Sequence, residues 1–275
     1  MNYTIVMVLY EQTLEDSKTF QSLIRYLPVY KNNNNITLLV FDNSVNLVNK
    51  VDKKDIDYIY IKNEGNIGLA KSYNQATKYA NLMKSEWMLL LDQDTELSKE
   101  YFETIFNIKK IPSTVVSCIP QIISNNKIIS PILSVGLPKL QNELMEPGTY
   151  QDLMAINSAS LLKISFLNEI DGFNEEFSLD YLDHWLYLEI NKRKKSIQVL
   201  DVVIKHELSV MDYNSISVER YQSILNSESN FYTNYSDLPN KVYKNRLILR
   251  SFKQFIKVKN KKIAMLTLKK YRKLK

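Results

Sequence analysis

Two carboxylates one residue apart, Asp92 and Asp94, follow directly on the apolar run Trp87-Met-Leu-Leu-Leu91. A short uninterrupted apolar run is the pattern of a strand buried on both faces. Alternate side chains of a strand point the same way, so Asp92 and Asp94 are expected to converge while Gln93 points opposite. Converging carboxylates repel unless a cation joins them. Hard divalent ions such as Mg2+ or Mn2+ take oxygen ligands, which they usually share with substrate phosphates. The same residues also suit an ordinary turn, because Asp starts turns at strand ends.

A second acidic centre is Asp171-Gly-Phe-Asn-Glu-Glu-Phe-Ser-Leu-Asp-Tyr-Leu-Asp183, which leads into a helical stretch, His184 to Asn191. Asp180 and Asp183 are three apart, a spacing that on a helix shares one face. One of two neighbouring carboxylates can have a raised pKa and serve as a general base. A helix N-terminus also collects Asp for capping and dipole reasons. The third centre is Asn63-Glu-Gly-Asn-Ile-Gly-Leu-Ala-Lys-Ser-Tyr-Asn74, with two glycines at a strand-to-helix turn. Glycine permits positive φ and close backbone approach, and a helix N-terminus offers N–H groups to phosphate. The spacing is neither the dinucleotide fingerprint nor a Walker motif. Lys71, one turn into that helix, is placed to reach an anionic ligand.

The elements that must position these centres are short. Apolar strands are expected at Thr4 to Leu9, Ile36 to Phe41, Tyr58 to Ile61 and Trp87 to Leu91. Helical patterns fall at Phe20 to Leu27, stopping at Pro28, and at Leu69 to Met83. The order strand, helix, strand, strand, helix, strand predicts an α/β sheet of mainly parallel strands, with ligands beyond their carboxyl ends. Asp42, Asn63 to Gly68 and Asp92 to Asp94 each follow on a strand, so they gather on one sheet edge. Four of the seven prolines fall between Pro112 and Pro138, predicting short irregular strands over the site. Val199 to Lys205 reads as a further strand ending at His206, and Val218 to Tyr232 as a helix.

The chain has 275 residues, 45% hydrophobic and 24% charged, the balance of an ordinary globular protein with one domain or one and a half. Its single cysteine, Cys118, excludes a disulfide framework and a Cys-rich metal site, and is expected to be a buried hydrophobe. The apolar N-terminus lacks the basic lead and cleavage site of a signal peptide. No run approaches the roughly 18 apolar residues of a spanning helix. Residues 240–275 hold 14 Lys and Arg and no Asp or Glu, leaving 36 − 14 = 22 basic against 30 acidic residues elsewhere. This basic tail interleaves Val242, Leu247, Leu249, Phe252, Phe255 and Ile256, which reads either as a membrane-surface helix or as packing onto the body with a solvated outer face. The acidic body and the absence of a binding motif argue against nucleic acid.

Asp42-Asn-Ser, Asn63 to Asn74 and Leu90-Leu-Asp-Gln-Asp-Thr95, in this order and spacing, resemble the family 2 inverting glycosyltransferases, with the closest likeness to the bacterial rhamnosyltransferase-like branch. The resemblance covers roughly residues 3–210. It implies a GT-A type nucleotide-binding α/β/α sandwich over residues 1–210, with a donor half at about 1–96 and an acceptor half at about 97–210, followed by a helical basic extension over 211–275. The implied activity moves a sugar, rhamnose or a hexose, from a dTDP- or UDP-sugar to a glycan or lipid-linked glycan acceptor in bacterial surface polysaccharide synthesis. The implied donor site comprises Tyr10, Glu11, Asp42, Asn43, Asn63, Asn66, Gly68, Lys71, Asp92, Gln93 and Asp94. Asp42 would bind the base, Asn66 and Lys71 would sit near nucleotide and diphosphate, and Mn2+ or Mg2+ would be held by Asp94 and Asp92 with His206. The pattern Phe-x-x-Asp-Tyr-x-Asp maps the family's acceptor base to Asp183, with Asp180 as the rival, and Ser158 and Trp185 fall on the acceptor side. Met154-Ala-Ile-Asn-Ser-Ala-Ser160 resembles the family's Ser-Gly-Ser segment, with Ala159 where glycine is usual. The implied location is cytoplasmic, peripheral on the inner face of the cell membrane, and a homodimer is left open.

Two other classes share some of these features. A nucleotidyltransferase also binds nucleotide over an α/β sheet, but its Gly-rich, Arg-containing loop after the first strand is replaced here by Tyr10-Glu-Gln-Thr13. A non-catalytic sugar-binding or membrane-scaffold protein with a transferase fold is the other alternative.

Overall fold

The computed structural model describes residues 1–50, 56–108, 110–134, 143–205, 213 and 216–274. In chain order the elements are β1 (Asn2–Leu9), α1 (Lys18–Lys31), β2 (Asn35–Asp42), β3 (Ile59–Lys62), α2 (Leu69–Leu82), β4 (Trp87–Leu91) and α3 (Lys99–Phe106). There follow β5 (Val115–Ser124), β6 (Lys127–Ser130), β7 (Ile132–Leu133), β8 (Gly148–Tyr150), β9 (Leu153–Met154), β10 (Ser160–Lys163) and α4 (Ile164–Glu169). The chain closes with α5 (Leu182–Lys192), β11 (Ser196–Lys205), α6 (Val218–Asn234), α7 (Asn240–Lys257) and α8 (Lys261–Lys273).

The main sheet has the order β3-β2-β1-β4-β10-β5-β11-β8, with β6 hairpinned onto β5. β3, β2, β1 and β4 are mutually parallel, β10 runs antiparallel between β4 and β5, and β11 lies parallel to β5. Strand alternation sends the two sides of β1 into different layers. Tyr3, Ile5, Met7 and Leu9 pack with Phe20 and Leu23 of α1 and Phe102 of α3. Val6 and Val8 pack with Tyr73 of α2, Leu186 of α5, Phe231 of α6 and Leu247 of α7. The result is an α/β/α sandwich of mixed, mainly parallel strands, with the C-terminal helices built into one apolar layer.

Two sequence expectations are corrected. α1 does not stop at Pro28 but continues to Lys31. Proline removes one helical hydrogen bond, and the turn beyond it is held by Tyr30, whose ring stacks on Phe106 at 5.2 Å. The Pro-rich middle is not merely short irregular strands, because β5 is a ten-residue strand inside the sheet. Its Pro120 lies past the last β10 pairing at Cys118, and opposite it the β11 register jumps between Val199 and Val203. Proline is tolerated at such a bulge because no ladder bond is asked of it.

Candidate active site

The parallel strands carry Tyr10 and Glu11, Asp42 and Asn43, Asn63 to Gly68, and Asp92 to Asp94 to the carboxyl edge of one sheet. Asn43 clamps them. Its Oδ1 accepts from the Asn63 amide at 2.7 Å, while its Nδ2 donates to the Ser72 hydroxyl at 3.2 Å and the Gly68 carbonyl at 3.4 Å. The turn after β2, the turn after β3 and the start of α2 thereby become one unit. Asn66 Oδ1 accepts from the Gly68 N–H at 3.1 Å, while Lys71 stands exposed on the first turn of α2.

Asp42 is fully buried, and its carboxylate is occupied by the chain itself. It accepts from the Ser44 N–H at 2.8 Å, the Asn49 amide at 3.0 Å and the Tyr60 hydroxyl, with Lys62 Nζ at 3.3 Å. Burial pushes its pKa up, but the bonds from Ser44, Tyr60 and Asn49 outweigh burial and bring it down to about 2. Glu11 is similarly engaged, accepting from the Val45 N–H at 2.8 Å and the Asn46 N–H at 3.1 Å. Gln93 exchanges bonds with the Tyr10 backbone, accepting from its N–H at 2.7 Å, and so ties the end of β4 to the end of β1.

β4 ends at Leu91, and residues 92–94 lie in a bend beyond it. Strand alternation therefore does not govern where Asp92 and Asp94 point: Asp92 is half-buried and Asp94 exposed. Both are oxygen donors, a set that suits Mg2+ or Mn2+ completed by substrate phosphate and water. No group of three or more His, Cys, Asp or Glu residues placed to hold a metal occurs among the described residues. His206 lies outside them.

Beside the bend, the Thr95 and Ser158 hydroxyls meet at 3.2 Å, and the buried Asn157 Oδ1 has no hydrogen-bond partner among the described residues. Ala159, fully buried, has φ of +59°, the left-handed conformation that glycine adopts without cost. Its N–H donates to the Leu90 carbonyl at 2.8 Å and its carbonyl accepts from the Tyr101 hydroxyl at 2.7 Å, so the strained residue is pinned from both sides.

The loop of residues 171–181 docks on α2. The Leu69 N–H, at the helix start, donates to the Ser178 carbonyl at 2.6 Å and is thus committed within the chain. A Cβ on Gly68, which has φ of +84°, would meet that carbonyl at 2.7 Å. Asn74 accepts from the Phe173 N–H at 2.7 Å and donates to the Phe173 carbonyl at 2.9 Å. Asp180 and Asp183 do not share a helical face. α5 begins only at Leu182, after Tyr181 in the left-handed region, so Asp180 lies ahead of the helix. Both Asp180 oxygens are taken by the Arg220 guanidinium of α6, one at 2.6 Å.

Asp183 sits in the first turn of α5, and its Oδ1 accepts from the His184 N–H at 2.8 Å and contacts His184 Nδ1 at 2.9 Å. Burial raises its pKa, but the adjoining His184 outweighs that and holds the carboxyl below its usual range. His184 is itself seated on Tyr181, ring centroids 4.4 Å apart, and Trp185 is buried in the apolar layer. Tyr73 of α2 is fully buried in the apolar layer and feels both acidic centres. Burial, then the charges of Asp92 and Asp183, push this phenol well above its ordinary pKa, and its hydroxyl has no hydrogen-bond partner among the described residues. Tyr73, Asn74, Asn157 and Arg220 are not among the site residues expected from sequence. Tyr73 falls on the apolar stripe of α2 with Ala70, Ala76 and Ala80, and so reads as core. A separate cleft of about 480 Å³ is lined by Ser98, Glu100, Gln121, Met145, Glu146 and Asp201 among others, and none of the expected site residues lines it.

Residues 4–170 match the profile of the glycosyl transferase family 2. No curated protein matches the chain. Among solved structures, S. aureus TarS 1–349 in complex with UDP-GlcNAc is similar, with a TM-score of 0.53 and 16% identity over 94% of this chain and 74% of that one. GalNAc-T7 with UDP, GalNAc and Mn2+ gives 0.59 and 10% over 96% of this chain and 56% of that one. The mannosyltransferase PcManGT from Pyrobaculum calidifontis, in complex with GDP-Man and Mn2+, gives 0.50 and 11% over 98% and 87%. At these identities the likeness carries the fold, and the profile carries the family: the chain belongs to glycosyl transferase family 2, a glycosyltransferase of GT-A fold.

Proposed function

We propose that the chain is an inverting glycosyltransferase that moves rhamnose or a hexose from a nucleoside-diphosphate-sugar, dTDP- or UDP-linked, to a hydroxyl of a glycan or lipid-linked glycan in bacterial surface polysaccharide synthesis. The observation that carries the reading is the docking of the loop of residues 171–181 on α2, through the Leu69 N–H on the Ser178 carbonyl and the paired bonds of Asn74 with Phe173. It brings the start of α2, on the carboxyl edge of the sheet, against the loop that leads into Asp183, and a donor and an attacking hydroxyl must meet between two such segments. Buried polar groups without partners are rare in folded proteins. The Tyr73 hydroxyl and Asn157 Oδ1 are two such atoms, which suits a site built for a polar ligand.

In this mechanism Asp183 accepts the proton of the acceptor hydroxyl. The acceptor oxygen forms its bond to the anomeric carbon from the face opposite the diphosphate, and the bond from that carbon to the diphosphate oxygen breaks. His184 occupies Asp183 Oδ1, so Oδ2 is assigned the proton. Asp180 is set aside as base because Arg220 holds both its oxygens. Lys71 adds positive charge near the diphosphate from the first turn of α2. Asp94 and Asp92 would hold Mn2+ or Mg2+, which supplies Lewis-acid stabilisation of charge on the departing diphosphate.

Thermal shift with nucleotide sugars and Mn2+ tests the donor site, since a ligand bound to the folded state raises its apparent stability. One UDP- or dTDP-sugar is expected to raise Tm in the presence of Mn2+, and Asp94→Ala to weaken that shift. An Asp183→Asn protein is expected to keep the shift while losing about 10^2- to 10^4-fold in transfer rate. Full transfer by Asp183→Asn would overturn the base assignment, and a metal-independent shift would overturn the metal site.

A further inference from the structure

α7 buries one side, through Tyr243, Leu247, Ser251 and Gln254, against α6, α8 and the rest of the chain. The opposite side is apolar too. Leu249, Phe252 and Ile256 are 63%, 68% and 68% exposed, and Val242 and Phe255 are exposed beside them. Val242, Leu249, Phe252 and Ile256 follow one another at seven, three and four residues, the spacing of a single helical stripe. Asn245 interrupts the stripe after Val242, but Leu249, Phe252, Phe255 and Ile256 are contiguous. Isolated exposed apolar residues are ordinary, whereas a contiguous patch marks a surface that something covers. A shallow hollow of about 300 Å³ adjoins it, lined by Ile248, Leu249, Phe252, Phe255, Leu268 and Ser251, so the face is apolar in depth as well.

The charges around the stripe indicate what covers it. Lys253 and Lys257, each one residue past an apolar member, are exposed along one flank, and Lys241 is exposed on the other. Residues 240–275 contain no acidic side chain. A second copy of this face would set lysines against lysines. An anionic lipid surface instead accepts aromatic and aliphatic side chains below its headgroups and lysines among them. No described helix is long and apolar enough to cross a membrane, so the contact is one of lying on the surface.

We propose that the outward face of α7, Val242, Leu249, Phe252, Phe255 and Ile256 flanked by Lys241, Lys253 and Lys257, is a docking surface for an anionic lipid bilayer. The proposal rests on α7 alone and stands apart from the donor and base assignments. The test is flotation of the full-length chain with vesicles of phosphatidylcholine alone or with phosphatidylglycerol added. Binding is expected with the anionic vesicles only, and is expected to weaken as salt rises. Phe252→Ser with Ile256→Ser is expected to lower partition about tenfold or more without changing the melting curve, because both side chains are already in water. Lys253→Glu with Lys257→Glu is expected to lower it about 25-fold or more, each lysine near an anionic leaflet being worth about fivefold. Equal binding to neutral vesicles, or anionic binding indifferent to both double variants, overturns the proposal. So does concentration-dependent dimerisation that Phe252→Ser with Ile256→Ser abolishes while vesicle binding persists, which would identify the occupant as a second copy.

Discussion

Ala159 occupies a left-handed backbone position while its methyl group is fully buried. An L-residue pays about 1–2 kcal/mol in that conformation. Glycine would remove this strain, yet it would lose about 0.5–1 kcal/mol through chain entropy and about 0.8 kcal/mol of methyl burial. The three effects nearly cancel, so Ala159→Gly is expected to leave stability within about 1 kcal/mol of the parent. Ala159→Val puts a β-branched side chain where such residues are genuine outliers, and is expected to cost about 3 kcal/mol or more. Thermal denaturation of the pair checks both. At Asp183 the opposing influences are burial, which raises the pKa, and His184, which lowers it and prevails. Asp183, the proposed base, is therefore ionised at neutral pH, and the acid limb of the pH–rate profile is expected below the ordinary carboxylate pKa of about 4. His184→Phe removes the ring and leaves only the backbone N–H bonds to oppose burial, so this limb should move to higher pH. A limb that stays in place in the profile of kcat/KM would mean that His184 does not set the charge of Asp183.

At the scale of elements, the site depends on how the loop of residues 171–181 is held against α2. Asn74 satisfies both the N–H and the carbonyl of Phe173 from one amide. Asn74→Ala leaves that backbone without its partner and is expected to lower stability by about 2–3 kcal/mol. Because the loop leads into Asp183, transfer should fall in kcat more than in donor affinity; donor affinity falling alone would contradict this coupling. The strands that carry the proposed donor loops were legible because each is an apolar run ended by a polar turn, and local patterns of that kind survive folding intact. Asp180 was not legible. Its distance from Asp183 implies a shared face only if the helix has already begun, and with the left-handed Tyr181 as cap it begins two residues too late, at Leu182. β5 read as short irregular strands and not as one long strand for a non-local reason, since the bulge that excuses Pro120 belongs to β11, some eighty residues away. Tyr73 was hidden differently: buried spacing on an amphipathic helix is the signature of core, and only the carboxylates brought beside it by two other segments mark it out.

Across the whole molecule, the basic C-terminal helices are both a surface and a wall. Tyr221, Leu225, Phe231, Tyr232, Tyr243, Leu247, Val258 and Ile263 belong to the apolar layer that includes Val6 and Val8 of the central strand. Phe231 packs on Phe177 and Tyr181, the residues that lead the acidic loop into α5, and Arg220 closes the same loop onto α6 through Asp180. Burying one large side chain is worth about 1.5–3 kcal/mol. Even if half of the eight pack only among themselves, the other four represent about 6–12 kcal/mol, comparable to the whole stability of a domain at about 5–15 kcal/mol. A chain cut after residue 217 is therefore expected not to form the native sheet, whereas Arg220→Ala, which removes one contact, should fold and lose stability in its loop. Circular dichroism and thermal melts separate the two. A truncated protein with a cooperative melt near that of the full chain would show that residues 218–274 are dispensable to the core, and the acidic loop would then have to hold Asp183 in place without α6.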